Sequence, residues 1–178
     1  MSESLVVRDM TGAMREYSQS QLMGTILPQG TNQRDADNFI AYCLMTGLNP
    51  YAKEVYAISY QGRVSPVPSI HGFERLANES PDFDGMTWTF LDKDGKPLPK
   101  WADLKDIVAC QAQVHLKSRK YPVETVVTMK EADTGQGQWK FPEKRAHMLS
   151  KTTRSRALQE AFSPKVGLRR DEQQTQDE

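Results

Sequence analysis

Several things are scarce in this sequence, and each scarcity excludes a class of protein. No stretch approaches the ~20 apolar residues that a membrane-spanning helix needs. The first residues, with Glu3 and Asp9, lack the apolar segment of a signal peptide. Cysteine is limited to Cys43 and Cys110, far apart, inside apolar runs and without the C-x-x-C spacing of a zinc or redox pair. Buried thiols in a reducing compartment are the expectation, so the protein is read as cytoplasmic with no membrane partner. The histidines, His71, His115 and His147, show no ligand spacing to one another or to a cysteine. The formal net charge is +0, so the total gives no sign of a polyanionic partner.

Chemical motifs are equally sparse. Nothing matches the G-x-x-x-x-G-K-[ST] loop that cradles nucleotide phosphates, and Gly95-Lys96 belongs to a turn. No serine stands in a G-x-S-x-G elbow. The best catalytic candidate is a carboxylate set, Asp82, Asp84 and Glu124, which could hold Mg²⁺ in a metal-dependent nuclease. The lysine that usually follows such acids is missing, since Thr-Val-Val comes after Glu124. Asp82 and Asp84 read more simply as turn residues before a strand. A non-enzyme is therefore expected.

What is present is one domain's worth of chain, 178 residues, with patterns of both periods. Residues 1–20 are polar and weakly periodic, and 1–30 read as a loose arm plus a short helix from Gln19 to Leu27. A stronger helix over 32–46 carries Ala36, Phe39, Ile40, Cys43 and Leu44 at helical spacing, with Thr31 as its N-cap and Gly47 ending it. After Asn49-Pro50 the period changes to two. Strands are expected over 54–59 and 63–70 around Tyr60-Gln61-Gly62, with Pro66 and Pro68 making the second an edge or irregular. A helix over 71–79 and strands over 86–91, 107–116 and 123–129 follow. A long helix over 142–162 packs through Ala146, Leu149, Thr153, Ala157 and Ala161, with Pro142 suited to its first turn. The fold class is thus α+β with a mainly antiparallel sheet and a long basic C-terminal helix, the main domain covering 31–170. The Gln- and acid-rich end, 171–178, is expected to be a disordered tail.

The zero net charge conceals an uneven distribution. From Lys105 to Arg170 there are fourteen Lys and Arg against six Asp and Glu. Lys117, Arg119 and Lys120 crowd the tip between two strands. On the last helix Lys144, His147, Lys151 and Arg154 share one face, with Arg145 and Arg156 on a neighbouring one. Lys53 and Arg63 lie on the first hairpin, and Trp139 just precedes the helix. Cations that track phosphates beside a ring that stacks on bases are the requirements of a single-strand groove. Trp139 either supplies that ring or anchors the loop from within. Nucleic-acid binding leads this reading; a basic protein-interaction module and the nuclease are its alternatives.

The segment Gly47-Leu48-Asn49-Pro50-Tyr51-Ala52-Lys53-Glu54-Val55-Tyr56-Ala57 resembles a signature of the RecT/Redβ-type phage single-strand annealing proteins. Pro66-Val67, Ile70-His71-Gly72-Phe73-Glu74-Arg75-Leu76, Phe83-Asp84-Gly85-Met86 and the basic tip ending in Tyr121-Pro122 are similar to further family segments, in the same order. Trp139, Pro142, Lys144-Arg145 and Met148-Leu149 through Ala161-Phe162 resemble the family's terminal basic helix. His71 and Phe73 stand where relatives often have Asp and Trp. The resemblance covers roughly residues 35–170. It implies ATP-independent binding of single-stranded DNA and annealing to duplex, by a ring or helical filament of identical subunits. It also implies a 5′→3′ exonuclease as partner, a host single-strand binding protein as a second, and a bacterial cytoplasm as the place of action. No cofactor is required; Mg²⁺ enters only as a counterion of DNA. By the same resemblance Lys53, Arg75, Lys117, Arg119, Trp139, Lys144 and Arg145 are groove candidates. Arg63, Lys120, Lys151, Arg154 and Arg156 join them on charge and position alone.

Overall fold

Short antiparallel hairpins alternate with helices in the computed structural model, which describes residues 4–9 and 11–166. The chain divides into two units, Met1–Arg75 and Leu76–Glu178. The expected acidic tail at 171–178 lies outside the described residues.

The first unit opens with β1 (Leu5–Arg8) and β2 (Met14–Tyr17), paired antiparallel, where a loose arm was expected. Two interactions account for the difference. Leu5 and Val7 are buried, which anchors one face. Asp9 organises the turn: Oδ1 accepts from Thr11 N, Thr11 Oγ1 and Ala13 N, and Oδ2 accepts from Arg15 Nε at 2.8 Å. The Arg15 bond, helped by those of Thr11, holds the Asp9 carboxyl well below the usual carboxylate range.

Helix α1 (Gln19–Thr25) starts with a capping box between Ser18 and Gln21. Helix α2 (Gln33–Thr46) is capped by Asn32, whose side chain accepts from Asp35 N. The expected cap, Thr31, instead donates from Oγ1 to Pro28 O. Gly47 ends α2 with φ 69°, a left-handed conformation that glycine adopts without strain. Ala36, Phe39, Ile40 and Cys43 are buried as their spacing requires, whereas Leu44 is exposed. Burial pushes the Cys43 thiol up to about 12, so it is protonated and unreactive.

The hairpin of β3 (Val55–Tyr60) and β4 (Arg63–Pro68) turns at Gln61 and Gly62, both at positive φ. Before it lies the segment that carries the family signature, and it forms a polar corner. Asn49, 2% exposed, donates to Arg8 O and accepts from Tyr51 N and Ala52 N. Glu54 accepts from Asn49 N at 2.7 Å and pairs with Arg75 Nε at 2.9 Å; Arg75 also donates to Gly47 O. Ser69 Oγ donates to Lys53 O and accepts from Gly72 N, starting α3 (Ile70–Asn78).

The second unit is a sheet in the order β6-β5-β7-β8, all antiparallel: β5 (Phe83–Leu91), β6 (Pro97–Leu98), β7 (Ala109–Leu116) and β8 (Val123–Thr128). Asp84 is the extra residue of a bulge between Phe83 and Gly85, and Gly85 takes φ 119° there. The register aligns Met86, Trp88 and Phe90 with Val114, Ala112 and Cys110, and these with Val123, Thr125 and Val127. That face receives α5 (Arg145–Val166), which packs chiefly on β7 and β8 through Leu149, Thr153, Ala157 and Leu158. The helix starts later than expected, because Pro142–Lys144 form a 3-10 turn, and Phe162 interrupts its helical dihedrals. Two small elements had no sequence expectation: β6, and α4 (Met129–Ala132), capped by Thr128. Burial raises the Cys110 thiol to about 11. Among the described residues no helix is long and apolar enough to cross a membrane.

Two glycines provide a stability test. A Cβ on Gly72 would stand 2.2 Å from Glu54 O, whereas one on Gly24 in α1 meets nothing. Gly72→Ala is expected to lower unfolding free energy by about 1–3 kcal/mol, the cost of overpacking. Gly24→Ala should raise it by up to about 1 kcal/mol. Urea denaturation of both variants checks the pair.

Candidate nucleic-acid interface

The cations expected to contact phosphate fall into groups with different fates. In the first unit Lys53 and Arg63 are exposed, Lys53 at φ 59° and Arg63 beside the hairpin turn, facing Tyr60. Arg75 is committed to the polar corner through Glu54 and Gly47.

In the second unit the β7–β8 tip presents Lys117, Arg119 and Lys120, all exposed, with Tyr121 73% exposed and Lys120 Nζ 5.4 Å from its ring centroid. Asp82 holds this tip. Its carboxylate accepts from Ser118 N at 2.8 Å and Ser118 Oγ at 2.7 Å, its carbonyl accepts from Lys117 N, and Lys117 Nζ donates to Pro81 O. Glu124 lies elsewhere, accepting from Gln113 Nε2. The three carboxylates of the nuclease reading are thus not gathered: one fixes a hairpin, one sits in a bulge and one pairs across strands. Among the described residues no three His, Cys, Asp or Glu are placed to hold a metal ion.

Helix α5 sorts its cations by direction. Arg145 Nε donates to Trp139 O at 3.1 Å and pairs with Asp133 at 3.4 Å; Arg156 pairs with Glu131 of α4. These arginines tie the helix to the chain preceding it. His147, Lys151 and Arg154 occupy another face. Partial burial, then Lys151 and Arg154, lower the His147 pKa below the ordinary imidazole range. Arg154 lies over the half-buried Trp88 ring of β5, 5.6 Å from its centroid, and Lys100, just after β6, lies over the same ring at 4.2 Å. A cationic strip therefore runs from α5 to the β5–β6 edge, with an indole between. Lys144 is exposed, over the half-exposed Phe141. Because Phe83 packs against Phe162 and Trp88 against Arg154, α5 runs antiparallel to β5. The tip at Asp82 is then six residues, roughly 20 Å, from Trp88 along the strand.

Trp139 is the residue that the structure removes from the expected set. It is 6% exposed, inside a core of Phe90, Ile107, Cys110, Val127, Ala132 and Leu149. A ring enclosed on all sides offers no face to a base, so it anchors the loop. Lys100 and Trp88 are the reverse case, absent from the expectation. Lys100 lies outside the dense basic segment, and Trp88 looked like an ordinary strand residue. Only the β5–β6 pairing brings them together.

The second unit is a helix packed on an antiparallel sheet, with His147, Lys151 and Arg154 on one face of that helix. The chain matches the RecT family over residues 8–178, and it belongs to that family. It is also similar to the "Recombination protein bet" of Escherichia phage lambda, with 30% identity over 105 residues, 56% of this chain and 34% of that protein. The chain thus spans about a third of the length of this curated relative. The family match begins at Arg8, the last residue of β1, and so takes in β2, beyond the segments that first suggested it.

Two measurements check the site. Trp139→Ala should cost about 3–5 kcal/mol of stability, as for a buried aromatic. Its unfolding midpoint, rather than any ligand affinity, is the primary readout. NMR titration of His147 should show a pKa below that of a free imidazole. Lys151→Ala should move it upward, because removing a neighbouring positive charge makes protonation easier.

Proposed function

We propose that this protein binds single-stranded DNA and anneals complementary strands without ATP, in phage-type homologous recombination. The observation that carries the reading is the α5 face of His147, Lys151 and Arg154, with Arg154 and Lys100 over the Trp88 ring, in a chain of the RecT family. Two bare strands repel through their phosphates, and a lining of Lys and Arg lowers that repulsion by displacing counterions. If the protein grips backbone, Watson–Crick edges stay free, and base pairing alone selects the partner strand. One such strip covers few nucleotides. Affinity then requires many subunits in a row on one strand, so the acting form is an oligomer, as a ring or helical filament. The single strand is the product of a 5′→3′ exonuclease, the partner this activity needs, and a host single-strand binding protein shares the same substrate in the bacterial cytoplasm. Mg²⁺ acts only as a counterion of DNA, so EDTA leaves annealing intact once monovalent salt restores the screening.

A fluorescence annealing assay with two complementary oligonucleotides, no nucleotide present and a salt series tests this. Annealing faster than protein-free strands is the expected result; a strict ATP requirement, or no acceleration at any salt, sinks the proposal. Replacing Lys151 and Arg154 together by Ala should weaken single-strand binding and reduce its log–log salt slope by about 1.4, ~0.7 for each phosphate contact. Arg156→Ala, which breaks a structural ion pair, should change stability more than slope. End-labelled DNA incubated with Mg²⁺ or Mn²⁺ should remain full length; shortened products would favour the carboxylate nuclease.

A further inference from the structure

The turn after β6 holds the most exposed aromatic among the described residues. Pro99 O accepts from Ala102 N at 3.0 Å, closing a turn whose central residues are Lys100 and Trp101. Trp101 is 86% exposed. Both flanks of the turn are fixed: Leu98 pairs with Phe90 in the sheet, and Leu98 and Ala102 pack against the core that contains Trp139. A large indole on a free loop would lose much conformational entropy on binding, but here that ordering is already complete. Lys100, beside it in the turn, turns its ammonium onto Trp88, where the Arg154 guanidinium also lies. The nearest acid in the sequence, Asp103, is drawn towards Lys105 at 3.7 Å.

We infer that Trp101 is a base-stacking platform for one unpaired nucleobase, with Lys100 and Arg154 holding the adjoining phosphates. An exposed ring on a rigid turn next to cations fits a ligand with alternating flat apolar groups and negative charges, which describes single-stranded nucleic acid. A protein partner would bury such an indole in an apolar surround, whereas the apolar flanks here, Leu98 and Ala102, are turned to the core and the adjoining ring, Trp88, carries two cations. The inference rests on the single-strand binding proposed above and adds the residue that engages the bases.

The test compares affinities for an oligothymidylate and for an abasic strand of the same length, by anisotropy of a labelled strand. Trp101→Ala should weaken oligothymidylate binding at least roughly fivefold, the lower end of the stacking range, and leave abasic binding unchanged. Trp101→Phe should retain most of the affinity, and Lys100→Ala should weaken both strands alike. Oligothymidylate should also quench the wild-type indole emission, and the abasic strand should not; loss of that quenching in Trp101→Phe assigns it to this ring rather than to Trp88 or Trp139. Equal weakening of both strands by Trp101→Ala would mean that the ring acts through folding or subunit assembly and would overturn the inference. So would unchanged binding of both, although single-strand binding itself would survive. If wild-type protein binds neither strand, the underlying proposal fails and the inference with it.

Discussion

The close packing of α5 on the second unit's sheet is the constraint from which the candidate interface follows. Leu149, Thr153, Ala157 and Leu158 are fully or almost fully buried, and the strand residue beneath, Ala112, is as small as Ala157. Small side chains on both surfaces let helix and sheet approach closely, and the buried Thr153 hydroxyl is satisfied within the helix by donating to Leu149 O. Once those residues face the sheet, the helical period dictates the rest. Arg145 and Arg156 are directed towards Asp133 and Glu131, while His147, Lys151 and Arg154 lie on another face, Arg154 over the Trp88 ring of β5. Which of the helix's cations meet those two carboxylates is a consequence of packing.

The first unit applies the same logic to its signature segment. Asn49 is almost wholly enclosed, yet its amide is satisfied by backbone groups of Arg8, Tyr51 and Ala52. Glu54 then meets both Asn49 N and Arg75, so a partly buried charge is balanced where it stands. Gly72 is required because a side chain would collide with the Glu54 carbonyl. Asn49 and Glu54 of the signature segment are thus internal supports of a turn, while Lys53 between them is exposed.

Much of the fold could be read from the sequence because its determinants are local. Helix α2 is set by the spacing of Ala36, Phe39, Ile40 and Cys43 and by Gly47. The β3–β4 hairpin is set by Gln61-Gly62, and the basic tip by its position between two alternating runs. The β1–β2 hairpin was not legible, since only Leu5 and Val7 mark its buried face and its turn depends on one aspartate's geometry. The site was legible only in part. Spacing placed His147, Lys151 and Arg154 together, but whether a given arginine meets solvent or a carboxylate depends on acids brought in by other elements. Burial of Trp139 was undecidable for the same reason: the Phe90, Ile107 and Cys110 that enclose it come from earlier strands.

The formal net charge of +0 is compatible with a polyanion as ligand because charge acts locally. Several carboxylates are already engaged by arginines: Asp9 by Arg15, Glu54 by Arg75, Asp133 by Arg145 and Glu131 by Arg156. Each such pair removes one charge of each sign from what an approaching strand senses, since a neutral pair's field decays faster than that of a lone ion and salt screens it further. At His147 partial burial comes first, and the positive charges of Lys151 and Arg154 then lower the proton affinity of the imidazole further. A sum over the sequence weights every ion equally. A phosphate at the α5 edge interacts mainly with those within about one Debye length, ~8–10 Å at ordinary ionic strength.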